Sequence, residues 1–384
     1  MVVELYEQIV DAETLGGLVF TWQDEWFKRT WNTMDYMDPY RRPFWSDVQT
    51  NEQMFGVLTF DPGEDQDSMI TLSGDPEEWE SATPLDTASD AFSPVSLDDG
   101  YDAGRTLTRL TAAADCRYLS LRLDYEDLGS EVDWDAMNTL VLLDTIPNQG
   151  NTTIPYNTDL ETNNGVDFLV HLSGPDDSRV VVDAYYDIFY YFYADQLEML
   201  PQEEYAGEKD TGEFHDIQLA LNKELTIPST GETIDFESYD TGALHFGNGD
   251  PASDDFDSLT DVCVTPEENM IEIRLPWLLL NFGDPSQREV IADFWEEDLE
   301  MGEFIGGSID HISLTAVTFN PDDDGDATDL ESNLNITDSL SAIEDGTLTF
   351  DSAVEFSWET WEEPPYHERR KQSYYILQEA FSDL

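Results

Sequence analysis

Polar and apolar positions follow two regimes along the chain. From residue 68 onward, short runs of apolar or strictly alternating residues recur between Gly, Pro, Asn and Asp, as in a β-sandwich. The alternation is cleanest over 118–125, where Leu119, Leu121 and Leu123 share one face and Ser120, Arg122 and Asp124 the other. Strands are expected at 69–72, 118–125, 139–144, 166–172, 179–183, 217–222, 270–275 and 309–319. The stretch 275–286 reads as a strand leading into a short helical turn, with Pro276 at its start and Gly283 at its end.

The two ends of the chain read differently. Apolar residues at 2, 6, 9 and 10 predict a helix, Gly16 and Gly17 end it, and 18–22 is an apolar β-prone run suited to a strand buried on both faces. Residues 33–67 read as loop broken by a strand at 55–60. After a strand at 353–358, Pro364 and Pro365 suit a helix start. Tyr366, Ser373, Tyr374, Leu377, Ala380, Phe381 and Leu384 then fall on one helical face. The expected class is mainly β (α+β): a terminal segment over 1–63, a large β-sandwich over 64–358, and a helix in 359–384 that returns to the N-terminal segment.

Composition changes this picture in one respect. The chain has 384 residues, 40% of them hydrophobic and 12% aromatic, enough for a sizeable core and against disorder. Its formal charge is −69, from 16 basic and 85 acidic residues, and the acids run from Glu4 to Asp383 instead of gathering in a tail. Such a surface repels itself unless counterions screen it, which is the logic of adaptation to high salt, as in halophilic archaea. It argues against nucleic acid as a partner, since phosphate binding needs basic patches. No apolar run reaches the roughly 20 residues of a membrane span, and the acidic amphipathic start does not read as a signal peptide. Localisation stays open: cytoplasmic at high salt, or extracellular if an export signal lies upstream. Cys116 and Cys263 are expected as buried thiols, with a single bridge as the alternative. Asn151 and Asn335 sit in glycosylation sequons, relevant only to an exported protein.

The densest candidate chemistry follows the 18–22 run. Asp24 and Glu25 stand just past its C-terminal end, the end that carries the chemistry in barrels of alternating strands and helices. Trp22, Trp26 and Trp31 offer flat apolar faces for sugar rings, Asp24 and Glu25 acceptors for hydroxyls, and Trp45 belongs with this group. The competing reading has the aromatics plugging a barrel mouth and the acids capping turns. Asp24 and Glu25 are adjacent and point apart on a strand, so they do not read as a catalytic pair.

A second candidate is 320–331. Asn320, Asp322, Asp324, Asp326, Thr328 and Glu331 have the spacing of a twelve-residue calcium loop, and Gly325 supplies its turn. Pro321 after the first ligand and the lack of flanking helices leave a solvated acidic hairpin as the alternative. The aromatic stretch 184–195 reads either as a sugar-stacking surface or as packing on the sheet, and alternating acids favour packing. The five histidines show no ligand spacing, and Arg369, Arg370 and Lys371 suit local ion pairing on the last helix, in the direction of barrel acids, with partner binding as the alternative.

The run GGLVFTWQDEWFKRTWN at 16–32, continuing through PYRRPFWSDVQTNEQMFGVLTFDPG at 39–63, resembles the last strand of a glycoside-hydrolase-like TIM barrel in a group of large prokaryotic proteins. The segments LVLLDTIPNQG, GVDFLVHLSG, EIRLPWLLLNFGDPS and PPYHERRKQSYYILQEAF resemble the same group. The long β-rich part is similar, more distantly, to family 9 carbohydrate-binding modules and DOMON sandwiches. The resemblance implies an incomplete barrel whose catalytic acids, in such enzymes, lie on earlier strands. It also implies a carbohydrate-associated, non-catalytic region with a polysaccharide or oligosaccharide as partner. The alternatives are the C-terminal part of a glycoside hydrolase with its acids upstream, and a structural domain with no sugar site.

Overall fold

A computed structural model describes residues 2–25, 28, 53–85, 103–156, 158, 160–291, 293–295, 306–321 and 336–382. The fold is mainly β, built from several sheets whose strands pair almost entirely antiparallel. A central sheet carries, in spatial order, Phe214–Asp216, Arg179–Asp183, Phe168–Leu172, Asn138–Asp144, Ile312–Phe319 and Ile336–Ser339, with Glu355–Phe356 also paired to Ile312–Phe319. A second sheet carries Val262–Thr265, Met270–Pro276, Tyr118–Tyr125, Leu107–Ala114 and Thr83–Pro84.

The larger core fills the space between these two sheets. Leu119, Leu121 and Leu123 from one meet Val141, Leu143, Phe168 and Val170 from the other. The opposite face of the central sheet is covered too. Leu140, Leu142, Leu169 and Phe319 pack under a small sheet that includes Asn151–Ile154 and Leu160–Val166. Burial on both faces explains why Asn138–Asp144 reads as continuous apolar sequence, without alternation.

Strands at Tyr118–Tyr125 and Arg179–Asp183 coincide with the expected spans. Several expectations need correction. The strand expected at 353–358 is only Glu355–Phe356, after a helical turn at Ser352–Val354. Residues 69–72 form no strand: Glu78 takes the Thr71 backbone N–H at 2.8 Å and its hydroxyl at 2.7 Å, and Leu72 adopts a left-handed φ of 59°. The helical turn Trp277–Leu280 ends at Asn281, left-handed at φ 57°, two residues before Gly283. Tyr366–Arg370 is a strand and not the first turn of the last helix, which spans Gln372–Ser382.

That strand closes the terminal unit. It pairs antiparallel with Leu58–Pro62, from Leu58 opposite Arg370 to Pro62 opposite Tyr366. Residues 21–24 lie parallel along the other edge, through Thr21 N–H to Phe55 O, Leu58 N–H to Trp22 O and Asp24 N–H to Leu58 O. The helices Val2–Asp11 and Gln372–Ser382 meet beside this sheet, with the Tyr6 and Phe381 rings 4.6 Å apart. The expected burial of 18–22 is not found: Leu18 is fully exposed, Phe20 58% and Trp22 60%. The run forms no strand; it is bonded through Thr21 and Trp22 to Phe55, Val57 and Leu58, and its apolar side chains belong to neither core.

Candidate functional site

The terminal sheet and the second sheet of the sandwich border a cleft of about 680 Å³, within the roughly 300–1,000 Å³ usual for small-molecule sites. Tyr118 and Arg274 come from the polar face of the second sheet, and Asp61, Arg369 and Lys371 from the terminal unit. A loop between sandwich strands adds Phe256, Leu259 and Asp261. Phe55 and Tyr239 are about half exposed along its lining, while Tyr118 is 8% exposed.

Four of the sixteen basic residues line this cleft: Arg117, Arg274, Arg369 and Lys371. Asp61, 3% exposed, accepts both Nε and Nη2 of Arg369 and lies 3.8 Å from Arg117. Lys371 donates to Asp24 at 2.6 Å and to the Met54 carbonyl at 2.9 Å. The Arg117 and Arg274 guanidiniums lie 5.0 and 4.9 Å from the Tyr118 ring, and Arg369 stands 5.5 Å from the ring of Phe256. Burial pushes Asp261 up to about 6, against the pull of Arg274. In a chain of such negative charge, the cleft is a place where cations and acids come near to balance.

The residues singled out in the sequence are distributed unevenly around it. Asp24 is 3% exposed and sits behind the wall, where it accepts Gly56 N–H at 2.9 Å and Lys371. A Cβ on residue 56 would stand 2.1 Å from the Asp24 nitrogen, so the close approach requires glycine. Glu25 pairs with Lys28 at 2.9 Å. Trp22 points elsewhere and touches Tyr374 edge-on at 6.1 Å. Trp26, Trp31 and Trp45 lie outside the described residues, as do Asp322, Asp324, Asp326, Thr328 and Glu331 of the calcium-loop candidate, of whose ligand positions only Asn320 is described. Among the described residues no cluster of three or more His, Cys, Asp or Glu has metal-holding geometry.

The walls of the cleft come from segments far apart in the chain, so no local pattern marks it. Arg369 and Lys371, expected in local pairs on the last helix, instead hold Asp61 and Asp24 of the N-terminal segment.

Other polar groupings lie inside the sandwich. Tyr185, Tyr186, Phe192 and Tyr193 are all within 5% exposure, so the aromatic stretch is packing. Beside it, His215 bonds Asp187 at 3.0 Å and the Tyr205 hydroxyl at 3.0 Å. Burial works against a proton on His215, but Asp187 outweighs it and the net shift is upward. Asp144, Asp167 and Asp183 sit at neighbouring ends of central strands, all nearly inaccessible. Burial, with repulsion from Asp167, pushes Asp144 and Asp183 up to about 7, and burial alone takes Asp167 to about 6. Cys116 and Cys263 are unbridged and buried, and burial pushes both thiols up, away from reactivity. Asn151 is wholly buried, which closes its sequon.

Comparison with protein-family models, with curated proteins and with solved structures finds no match. Among the described residues no helix is long and apolar enough to cross a membrane.

Proposed function

We propose that the cleft is a saccharide-binding site and that this chain acts by binding. The observation that carries this reading is the pairing, in one cleft, of aromatic rings with fixed hydrogen-bonding groups: half-exposed Phe55 and Tyr239 and the partly buried Phe256 beside Asp61, Arg369 and Lys371. Sugars present apolar ring faces edged by hydroxyls, and rigid amphipathic aromatics with pre-oriented charged donors match that pattern. The ion pairs hold those donors in place before any ligand arrives, which lowers the ordering cost of binding. The resemblance to carbohydrate-binding modules points the same way.

Calorimetric titration of a panel of oligosaccharides in molar KCl tests the reading. Binding by at least one is expected, weakened about tenfold by Phe256→Ala or Tyr239→Ala, the loss of one stacking ring. A folded protein that takes none of the panel overturns it.

A second reading, an interaction domain, draws on the exposed Leu15, Leu18, Phe20 and Trp22. Replacing Leu18 and Trp22 by Ser separates the two: saccharide affinity survives in the first reading, and only self-association or partner capture falls in the second.

A further inference from the structure

We propose that the ligand of the cleft carries a carboxylate: a uronic-acid sugar whose acid group is held by Arg274 with help from Arg117. The proposal rests on the saccharide reading above and narrows it to a charged class.

Arg274 is the lysine or arginine that, among the described residues, is more than nine-tenths buried, at 8% exposure. Its only hydrogen bond from the side chain goes from Nη2 to the Ser258 carbonyl at 3.3 Å, and Nε has no acceptor. No carboxylate comes within ion-pairing distance of it among the described residues, although the chain carries 85 acids. Burying a cation this way costs several kcal/mol unless an anion or a full set of acceptors compensates. The Tyr118 face, 4.9 Å away, offsets only part of that.

Asp61 spends both oxygens on Arg369. Asp261 and Asp115 attract Arg274 from beyond ion-pairing distance, and their carboxylates are engaged by backbone N–H groups, of His245 for Asp261 and of Arg117 and Tyr118 for Asp115. Arg117 lies against the same Tyr118 ring, so two guanidiniums of the cleft lining come within about 5 Å of one ring. The planar fork of arginine matches a carboxylate with two parallel bonds. The partly buried Phe256 and half-exposed Tyr239 on the same cleft then offer a face for the sugar ring. Elsewhere on so acidic a surface a uronate is repelled; in this cleft four basic residues offset four acids and the repulsion is locally cancelled.

The test is titration of the full chain in molar KCl with galacturonate, glucuronate and mannuronate oligomers, each beside its methyl ester, which removes the charge and keeps the ring. At least one uronate is expected to bind about tenfold or more tightly than its ester, the size of a hydrogen-bonded charge contact. Arg274→Lys should lose most of that preference, because the charge stays and the fork is lost. Should the Arg274 variant fail to fold, Arg117→Gln is expected to cut the same preference by severalfold. Equal affinity for acid and ester, or binding of neutral sugars only, overturns the uronate proposal and leaves the saccharide reading intact. No binding of any sugar by the folded protein overturns both.

Discussion

The sandwich and the terminal unit are stabilised by different means. In the sandwich, Leu119, Leu121, Leu140, Leu142, Phe168 and Trp277 are wholly buried, and the central sheet is covered on both faces. In the terminal unit neither helix buries a residue, and Leu15 and Leu18 are fully exposed. What ties the unit together is a backbone ladder with the buried residues Val57, Leu58 and Phe60 and two charge pairs, Lys371 to Asp24 and Arg369 to Asp61. The contrast teaches that one chain can combine a region with a large apolar core and a region in which a small buried strand shares the work with ion pairs.

The sharpest test compares the same truncation in both. Leu121→Ala should lower unfolding free energy by about 2–5 kcal/mol, the usual cost of an unfilled core cavity. Leu5→Ala, at a residue 53% exposed, should stay within about 0.5 kcal/mol. Equal losses in denaturant titration would erase the distinction.

Next comes the ion pair. Lys371→Met leaves Asp24 buried with its charge reduced to one backbone partner. Because Lys371 keeps 24% of its side chain in water, the expected loss is about 1–3 kcal/mol, below the 3–5 of a fully buried pair. Adding Asp24→Asn should recover part of it, and a double-mutant cycle reads the coupling.

Acidity separates the regions further. Asp144 and Asp183, raised to about 7, bind protons in the folded state that the unfolded chain has already released above about pH 4. Their contribution to stability is therefore present at low pH and is lost as pH rises toward 7. His171, lowered to about 4 by burial and Arg179, opposes this between about 4 and 6.5, where the unfolded chain takes a proton that the folded one refuses. Asp144→Asn should stabilise the sandwich at pH 7 and flatten the slope measured by thermal denaturation from pH 5 to 7. An unchanged slope would show that the aspartate titrates as an exposed group.

The smallest effect belongs to Trp22→Ser. With 60% exposure and one edge contact to Tyr374, it should change stability by less than about 0.5 kcal/mol in the same titration.

The sequence discloses the sandwich well and the cleft hardly at all. Tyr118–Tyr125 was legible because one side of a strand had to be leucine, and Arg179–Asp183 because both sides are buried. Tyr366–Arg370 was not legible: its five residues are charged or polar apart from Tyr366, and pairing with Leu58–Pro62 is what makes it a strand. The 69–72 run carries an apolar pattern that the Glu78 side chain overrides by binding Thr71. For the site, the tryptophans near residue 22 drew notice through density. Tyr118, Arg274 and Phe256 each looked ordinary in local context and meet only through tertiary structure.

The antiparallel pairing of Leu58–Pro62 with Tyr366–Arg370 gives the molecule a mechanical hierarchy. Nearly the whole sandwich is an excursion between these two short strands, and Leu58 and Arg370 face each other at the end where the flanking segments leave. Tension applied through those segments would peel the pair open one bond at a time, like a zipper, instead of shearing all its bonds together. The latch would yield at low force while the sandwich behind it carried no load. Whatever pulls on this protein from outside would first open the wall of the cleft that Arg369 and Lys371 build, and so would reach the binding site before the fold that supports it.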